Sequence, residues 1–522
     1  MPTGFKKLER LIKEKKSHIC LGLDPTDEMD AAVKRHGGLE NYLKWLIDET
    51  NEYIVAVKPN LAFYEKSAED RTIMQSIMQY AEKKYGLVKI MDCKRGDIMD
   101  TQEQYAKADV ATFNPDIVTL SPYMGGADVV APYLAQNPHI CVYALTATSN
   151  PGAREFQDIL SGGLTNYEQM ALMAHTWSSD DKCKRTDNVT LKDRIGFVVG
   201  STKPDAVKNI RRIELEHGFK PAHILSPGFG KQGGDMEFVK HAGTNVIYSL
   251  SSSLTKEKYL GGKSPREMAR IWRDDINAYI GEGEETVSLT QYVVDLMIAN
   301  RLIQIPKTTD FARWPLLKKG RNKLEAAGIE LKGNEDEKLG LIREAIKDGN
   351  LVKDDFGAIY LQLRDVCGYP ETRRLMAYLY TKLIRESKVE YDRIGSVAYG
   401  AISMGDLVSL FLDKPAFLMR KEQGAEATHS DVIGGIAPGE TAIIIEDVAT
   451  SADSLIRVAK LLRENHSTNI TDAFVFVKRT PEAETICKEH DIKLHYLLDM
   501  DELKTCIAKS KYVTDEVKKT IL

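Results

Sequence analysis

The run Asp92-Cys93-Lys94-Arg95-Gly96-Asp97 places two carboxylates and a lysine within six residues. It follows the apolar stretch Leu87-Val88-Lys89-Ile90-Met91. If that stretch is a strand, side chains 92 and 94 share one face, because successive side chains alternate. An Asp and a Lys side by side, with a second Asp a short loop away, form an electrostatically costly array of the kind that tunes protonation for catalysis. A solvated surface loop has the same composition, and the surrounding elements decide between the two.

Short apolar runs recur at 17–23, 53–57, 87–91, 116–120, 139–145, 194–199, 222–225 and 244–248. Helical patterns such as 39–50, 68–84, 167–177 and 204–217 lie between most of them. Eight strands alternating with helices over roughly 250 residues match a (β/α)8 TIM barrel. Periodicity alone also allows an open doubly wound sheet; the number of strands favours the barrel. The first strand runs into Leu23-Asp24-Pro25, the second into Lys58-Pro59-Asn60, the third into the charge array. The fourth ends in Ser121-Pro122-Tyr123 and the seventh in Ser226-Pro227-Gly228. In a barrel these tips converge on one face, where active sites sit. Asp24, Lys58, Asp92 and Lys94 are therefore expected in one pocket.

The 522 residues suggest two to four domains. An apolar content of 43% and a charged content of 28% fit a globular protein with sizeable cores. A net charge of −5 argues against nucleic-acid binding driven by bulk charge. No apolar run is long enough to cross a bilayer, and the first residues lack the apolar core of a signal peptide. The seven cysteines are scattered without a CxxC pair, which favours a reducing compartment, and a cytoplasmic location is expected. Residues 1–275 read as the barrel. Between 276 and 340 the pattern loosens into a linker and the start of a second domain. From 341 to 522, strand-like runs at 394–399, 416–419, 441–445 and 472–477 alternate with helices such as 451–465, as in an open, mainly parallel α/β sheet.

The segment Leu225-Ser226-Pro227-Gly228-Phe229-Gly230-Lys231-Gln232-Gly233-Gly234-Asp235 follows the seventh strand. Loops after strands 7 and 8 are the usual phosphate site of this barrel class, and glycines let backbone approach a ligand closely. Taken with Asp92, Lys94, Asp97 and Ile98 as a DxKxxDI pattern, Leu23-Asp24-Pro25 and Lys58, residues 1–275 resemble orotidine 5′-monophosphate decarboxylase. The resemblance implies a cofactor-free decarboxylation of orotidine 5′-monophosphate. Lys94 would protonate the carbanion, Asp92 would face the substrate carboxylate, and Lys58 and Asp97 would complete the charge network. It implies a homodimer or higher homo-oligomer, with Asp97 and Thr101 reaching into the neighbour's site. Asp24 would contact the ribose, Ser121 the pyrimidine and Gln232 the phosphate, with Asn60, Pro227 and Gly233 as further substrate-binding residues. One departure stands out. The family usually has an Arg after the eighth strand, where this chain reads Tyr248-Ser249-Leu250-Ser251-Ser252-Ser253.

A second constellation is Ile443-Ile444-Ile445-Glu446-Asp447 followed by Val448-Ala449-Thr450-Ser451-Ala452-Asp453-Ser454. Hydroxyls and N–H groups opening a helix bind phosphate, and the acids suit ribose hydroxyls or a hydrated Mg2+. An ordinary strand–turn–helix has the same outline. The segment resembles the diphosphoribose motif of type I phosphoribosyltransferases, and residues 341–500 resemble orotate phosphoribosyltransferase. The resemblance implies orotate and 5-phosphoribosyl 1-diphosphate as substrates, Mg2+ as cofactor, and Lys421, Glu446, Asp447, Thr450, Ser451 and Ser454 as donor-binding residues. The order of the two parts is that of a decarboxylase-first UMP synthase. Two departures are Ala452, where glycine is usual, and Gly424, where the mobile loop usually carries a lysine. They keep open a reading in which the second domain is catalytically weak and serves assembly or regulation.

Overall fold

A computed structural model describes residues 2–179, 191–229, 236–283, 285–305, 312, 318–351, 359–397, 400–419 and 432–521. Two compact units emerge, one of residues 1–160 and 165–288, the other of 161–164 and 289–522.

The first unit is a closed barrel of eight parallel strands: β1 (Ile19–Gly22), β2 (Ile54–Lys58), β3 (Val88–Arg95), β4 (Ile117–Leu120), β5 (Cys141–Ala147), β6 (Ile195–Val199), β7 (Ile224–Pro227) and β8 (Val246–Leu250). Each strand pairs with its neighbours in sequence, and β8 closes on β1 with Leu250 opposite Leu21. Most strands are buried along their whole length. That follows from their near-continuous apolar composition, since a parallel sheet covered by helices has no wet face.

The helix Gly4–Lys15 plugs the far end of the barrel. Thr3 caps its first turn, and Phe5, Leu8 and Leu11 present one apolar stripe. That stripe packs with Val55, Ile90, Ile117 and Cys141, near the strands' beginnings. The opposite mouth, where strands end in polar residues, stays open. The helix Pro265–Tyr279 opens with a Ser264/Glu267 capping box and sends Ala269 and Ile276 into the barrel core, so the first unit continues past residue 275.

The second unit holds a six-stranded sheet: β9 (Arg393–Ser396), β10 (Ala416–Met419), β11 (Val432–Ile433), β12 (Thr441–Ala449), β13 (Asn469–Lys478) and β14 (Lys493–Asp499), in the order β11-β10-β9-β12-β13-β14. All pairs are parallel except β10–β11. Helix Asp453–His466 buries Leu455, Val458, Ala459 and Leu462 against this sheet's apolar core. β12 runs four residues beyond the expected end at Ile445, because its pairing with β13 continues to Ala449 opposite Lys478. No helix among the described residues is long and apolar enough to cross a membrane.

Candidate functional site

The charge array sits at the barrel mouth. Asp92 is buried and accepts from Lys58 Nζ at 2.6 Å, from Lys94 Nζ at 2.6 Å and from the Thr119 hydroxyl at 2.8 Å. Thr119 in turn accepts from the Lys94 backbone N–H at 3.1 Å, tying β4 to the array. Simple alternation is not what brings residues 92 and 94 together. The register of β3 against β4 shifts between Met91 and Arg95, and Lys94 adopts a left-handed backbone with φ +49. A non-glycine residue held there stores about 1–3 kcal/mol of strain, a pattern typical of active sites. The bulge turns the lysine back over its own strand, onto Asp92. Gly96 completes the turn: a Cβ there would lie 2.7 Å from the Ser121 carbonyl oxygen.

Burial alone would push the Asp92 carboxyl up, but Lys58 and Lys94 outweigh it and hold the group well below the usual carboxylate range. Burial likewise works against the Lys58 ammonium, yet Asp92 and Asp24 raise its pKa above the ordinary lysine value. Asp24 accepts from the Asn60 N–H at 3.1 Å and from the Ser251 hydroxyl at 3.2 Å. The result is an alternating Lys58–Asp92–Lys94 row in which Lys94, its side chain 45% exposed, is the member facing open space.

These groups line a cavity of about 380 Å3, within the range of small-molecule sites. Asp24, Lys58, Asn60, Asp92, Lys94 and Pro227 all contribute, as the sequence led one to expect. Ser121, half-buried just after β4, donates its N–H to the Arg95 carbonyl and does not line the cavity. Asp97 accepts from the Ile98 N–H at 2.8 Å, and neither it nor the exposed Thr101 lines this chain's cavity. Gln232 and Gly233 lie outside the described residues. Sequence reasoning missed Thr119, Phe63, Phe229 and Lys256. Thr119 carried one usable signal, a hydroxyl near the end of the otherwise apolar run Ile117-Val118-Thr119-Leu120.

In the second unit, Glu446 and Asp447 lie on β12. Glu446 is buried; its Oε1 accepts from the Ser454 hydroxyl at 2.6 Å, and its Oε2 has no partner among the described residues. Burial pushes its carboxyl up to about 7, with Asp447 adding to the effect. Asp447 is also raised by burial, and its carboxylate packs so closely on Gly400 that a Cβ there would overlap it. Thr450 and Ser451 are exposed ahead of the helix Asp453–His466. That helix begins two residues later than expected because Ala452 sits left-handed at φ +56. Lys421, Gly424 and the loop around them lie outside the described residues.

A closed (β/α)8 barrel with a Lys–Asp–Lys row at its mouth, followed by an open α/β unit, defines a two-part α/β enzyme. The chain belongs to the orotidine 5′-phosphate decarboxylase / HUMPS family, whose model matches residues 17–254. The orotidine 5′-phosphate decarboxylase of Roseiflexus castenholzii is 34% identical over 284 residues, which cover 52% of this chain and 97% of that protein. The bifunctional enzyme PyrF/PyrE of a Nostoc species is 23% identical over 521 residues, 98% of each chain. Among solved structures, Leishmania donovani UMP synthase is similar with a TM-score of 0.46 and 23% identity, covering 100% of this chain and 98% of that one.

Proposed function

We propose that the chain makes UMP in two steps, with the second unit joining orotate to 5-phosphoribosyl 1-diphosphate and the barrel decarboxylating the product. The observation that carries the decarboxylase reading is the buried Asp92 carboxylate holding Lys58 and Lys94 in one row at the cavity. As the C6–CO2 bond breaks, its electron pair stays on C6 and carbon dioxide leaves. Lys94 Nζ then delivers a proton to C6 and is recharged from solvent. A fixed ammonium beside the forming carbanion interacts more strongly with the transition state than with the substrate, which is the condition for acceleration. Asp92 keeps that ammonium in place and sets a negative wall against the departing carboxylate. Nothing in this sequence of steps calls for a cofactor. Asp97, with the exposed Ile98 and Met99 beside it, is assigned to the site of a second copy, with Thr101 accompanying it.

For the transfer step, the Glu446 Oε2, without a partner among the described residues, and its neighbour Asp447 offer two carboxylates whose burial disfavours charge until a cation arrives. That donor set fits Mg2+, which is usually held by one or two carboxylates together with substrate phosphates. Bound there, the ion would neutralise charge on the diphosphate. Thr450, Ser451 and Ser454 are assigned to the donor's phosphates at the strand–helix turn, and Lys421 to the leaving diphosphate. The left-handed Ala452 favours a second reading, in which this unit transfers slowly.

The test uses the full chain with orotate, 5-phosphoribosyl 1-diphosphate and Mg2+, following orotate loss and carbon dioxide release. Carbon dioxide release from orotidine 5′-monophosphate without consumption of orotate at high enzyme would leave only the decarboxylase. Lys94→Ala should lower kcat for decarboxylation by at least about 10³-fold, a loss of roughly 4 kcal/mol of transition-state stabilisation, while leaving UMP binding within a few-fold. Unchanged turnover would remove Lys94 from the mechanism.

A further inference from the structure

The array occupies the β2–β3 side of the mouth. The lining continues with Pro227, which ends β7, with Gly228 and Phe229 just after it, with Ser249 in β8, and with Ser251 and Ser252 just beyond β8. Loops after strands 7 and 8 are where this barrel class seats phosphate. The described cavity lining contains three cations. Lys58 and Lys94 are both bonded to Asp92; the third is Lys256, four residues beyond Ser252 and 6% exposed. Lys256 Nζ bonds Glu28 Oε2 at 2.7 Å, and the other oxygen of Glu28 takes Lys258 Nζ at 2.7 Å. Two ammonium groups thus share one carboxylate. A buried lysine is rare unless paired, and one that lines a cavity with donor capacity to spare is poised to meet an anion.

Resting on the function proposed above, we propose that Lys256 is the cation that holds the 5′-phosphate of the nucleotide, doing from beyond β8 what no arginine there can do, and that Glu28 is its resting counter-ion. On binding, Lys256 turns an N–H from Glu28 to a phosphate oxygen. Glu28 keeps Lys258, so no carboxylate is left bare. No bond is made or broken; one ion pair is exchanged for another.

Binding of UMP and of uridine to the full-length protein, measured by titration calorimetry, tests the assignment, because the two ligands differ only in the phosphate. Lys256→Met should weaken UMP by roughly 10- to 100-fold, the size of a lost charge-assisted hydrogen bond, and leave uridine within two-fold. Lys256→Arg should recover most of the UMP affinity. Lys258→Met, whose lysine is 53% exposed and stays on Glu28 rather than meeting the phosphate, should weaken UMP by several-fold less than Lys256→Met does. In turnover, Lys256→Met should raise KM for orotidine 5′-monophosphate far more than it lowers kcat. Equal weakening of UMP and uridine, unchanged UMP affinity, or an equal loss in Lys258→Met would overturn the proposal. Should Lys256→Met not fold, Glu28→Gln reads the same contact: UMP should tighten two- to ten-fold once the competing carboxylate is gone, and unchanged or weaker binding counts against it. A wild-type chain that bound neither ligand would defeat the functional reading rather than the assignment of Lys256.

Discussion

Asp92→Asn is the sharpest probe of how the barrel mouth is held together. The carboxylate accepts three hydrogen bonds, two of them from ammonium groups at 2.6 Å. Lys58, only 5% exposed, would be left buried beside an amide, with Asp24 as the remaining carboxylate that favours its charge. Removing one partner of a buried pair costs about 3–5 kcal/mol. Lys94 adds little to that sum, because its half-exposed side chain can turn to solvent. At about 2–4 °C per kcal/mol for a unit this large, melting should fall by roughly 6–20 °C. Urea unfolding followed by tryptophan fluorescence reports chiefly the right unit, since three of the four tryptophans, Trp45, Trp177 and Trp272, belong to the barrel unit. The sign with pH follows from the depressed carboxyl of Asp92. Its contribution is fully present above the unfolded value of about 3.9 and is lost as pH falls towards the folded one. The gap between wild type and Asp92→Asn should therefore be constant near neutrality and narrow below about pH 4. Lys58→Met alone leaves Asp92 with only Lys94 and the Thr119 hydroxyl, and the double variant, which removes both charges, should be at least about 1 kcal/mol more stable than the sum of the singles implies. Strict additivity, or a gap that widens in acid, would refute the idea that this pair is mutually dependent.

Two further outcomes follow from the second unit. Ala452→Gly places glycine where the backbone is already left-handed at φ +56, so the unit should gain about 0.5–1 kcal/mol in denaturant unfolding, with KM for the diphosphate donor unchanged or lower; a loss of stability would contradict the strained turn. Glu446→Gln should flatten the pH dependence of the metal-free unit. Its folded pKa of about 7 lies above the unfolded one, so the native state holds the extra proton and stability falls as pH rises from about 4.5 through 7. Melting scans between pH 5 and 8 that gave the same slope for wild type and variant would place that titration elsewhere.

What was legible in the sequence was whatever period and composition encode. Buried parallel strands are continuous apolar runs, and their polar tips mark the mouth, so the barrel, Asp24, Lys58 and Asp92 could be read directly. Apolar runs mark the strands within a few residues, yet β12 continues past Ile445, because an acid pair resembles a strand end although the ladder to Ala449 runs through it. Thr119 and Lys256 escaped for a different reason. A threonine in a strand and a lysine in a short helical lead-in are ordinary locally, and only closure of β8 onto β1 puts Lys256 at the same cavity as Lys58.

Lys94 shows where the local rule gave the right neighbour by the wrong route. Period-2 alternation puts 92 and 94 on one face of a regular strand, but a regular strand would carry the Lys94 side chain parallel to Asp92 and out along the rim. The register shift between Met91 and Arg95 and the left-handed φ of +49 bend it back until Nζ reaches Oδ1 at 2.6 Å. Such a backbone persists only if its surroundings over-determine it, and three contacts do so: the Lys94 N–H on Thr119, the Ser121 N–H on the Arg95 carbonyl, and the missing side chain of Gly96. The strain therefore has a structural counterweight on both flanks, which lets Lys94, the proton donor proposed above, be rigid at its base and free at its tip. That combination suits a group that must hold charge beside the reacting carbon and then give up a proton to it.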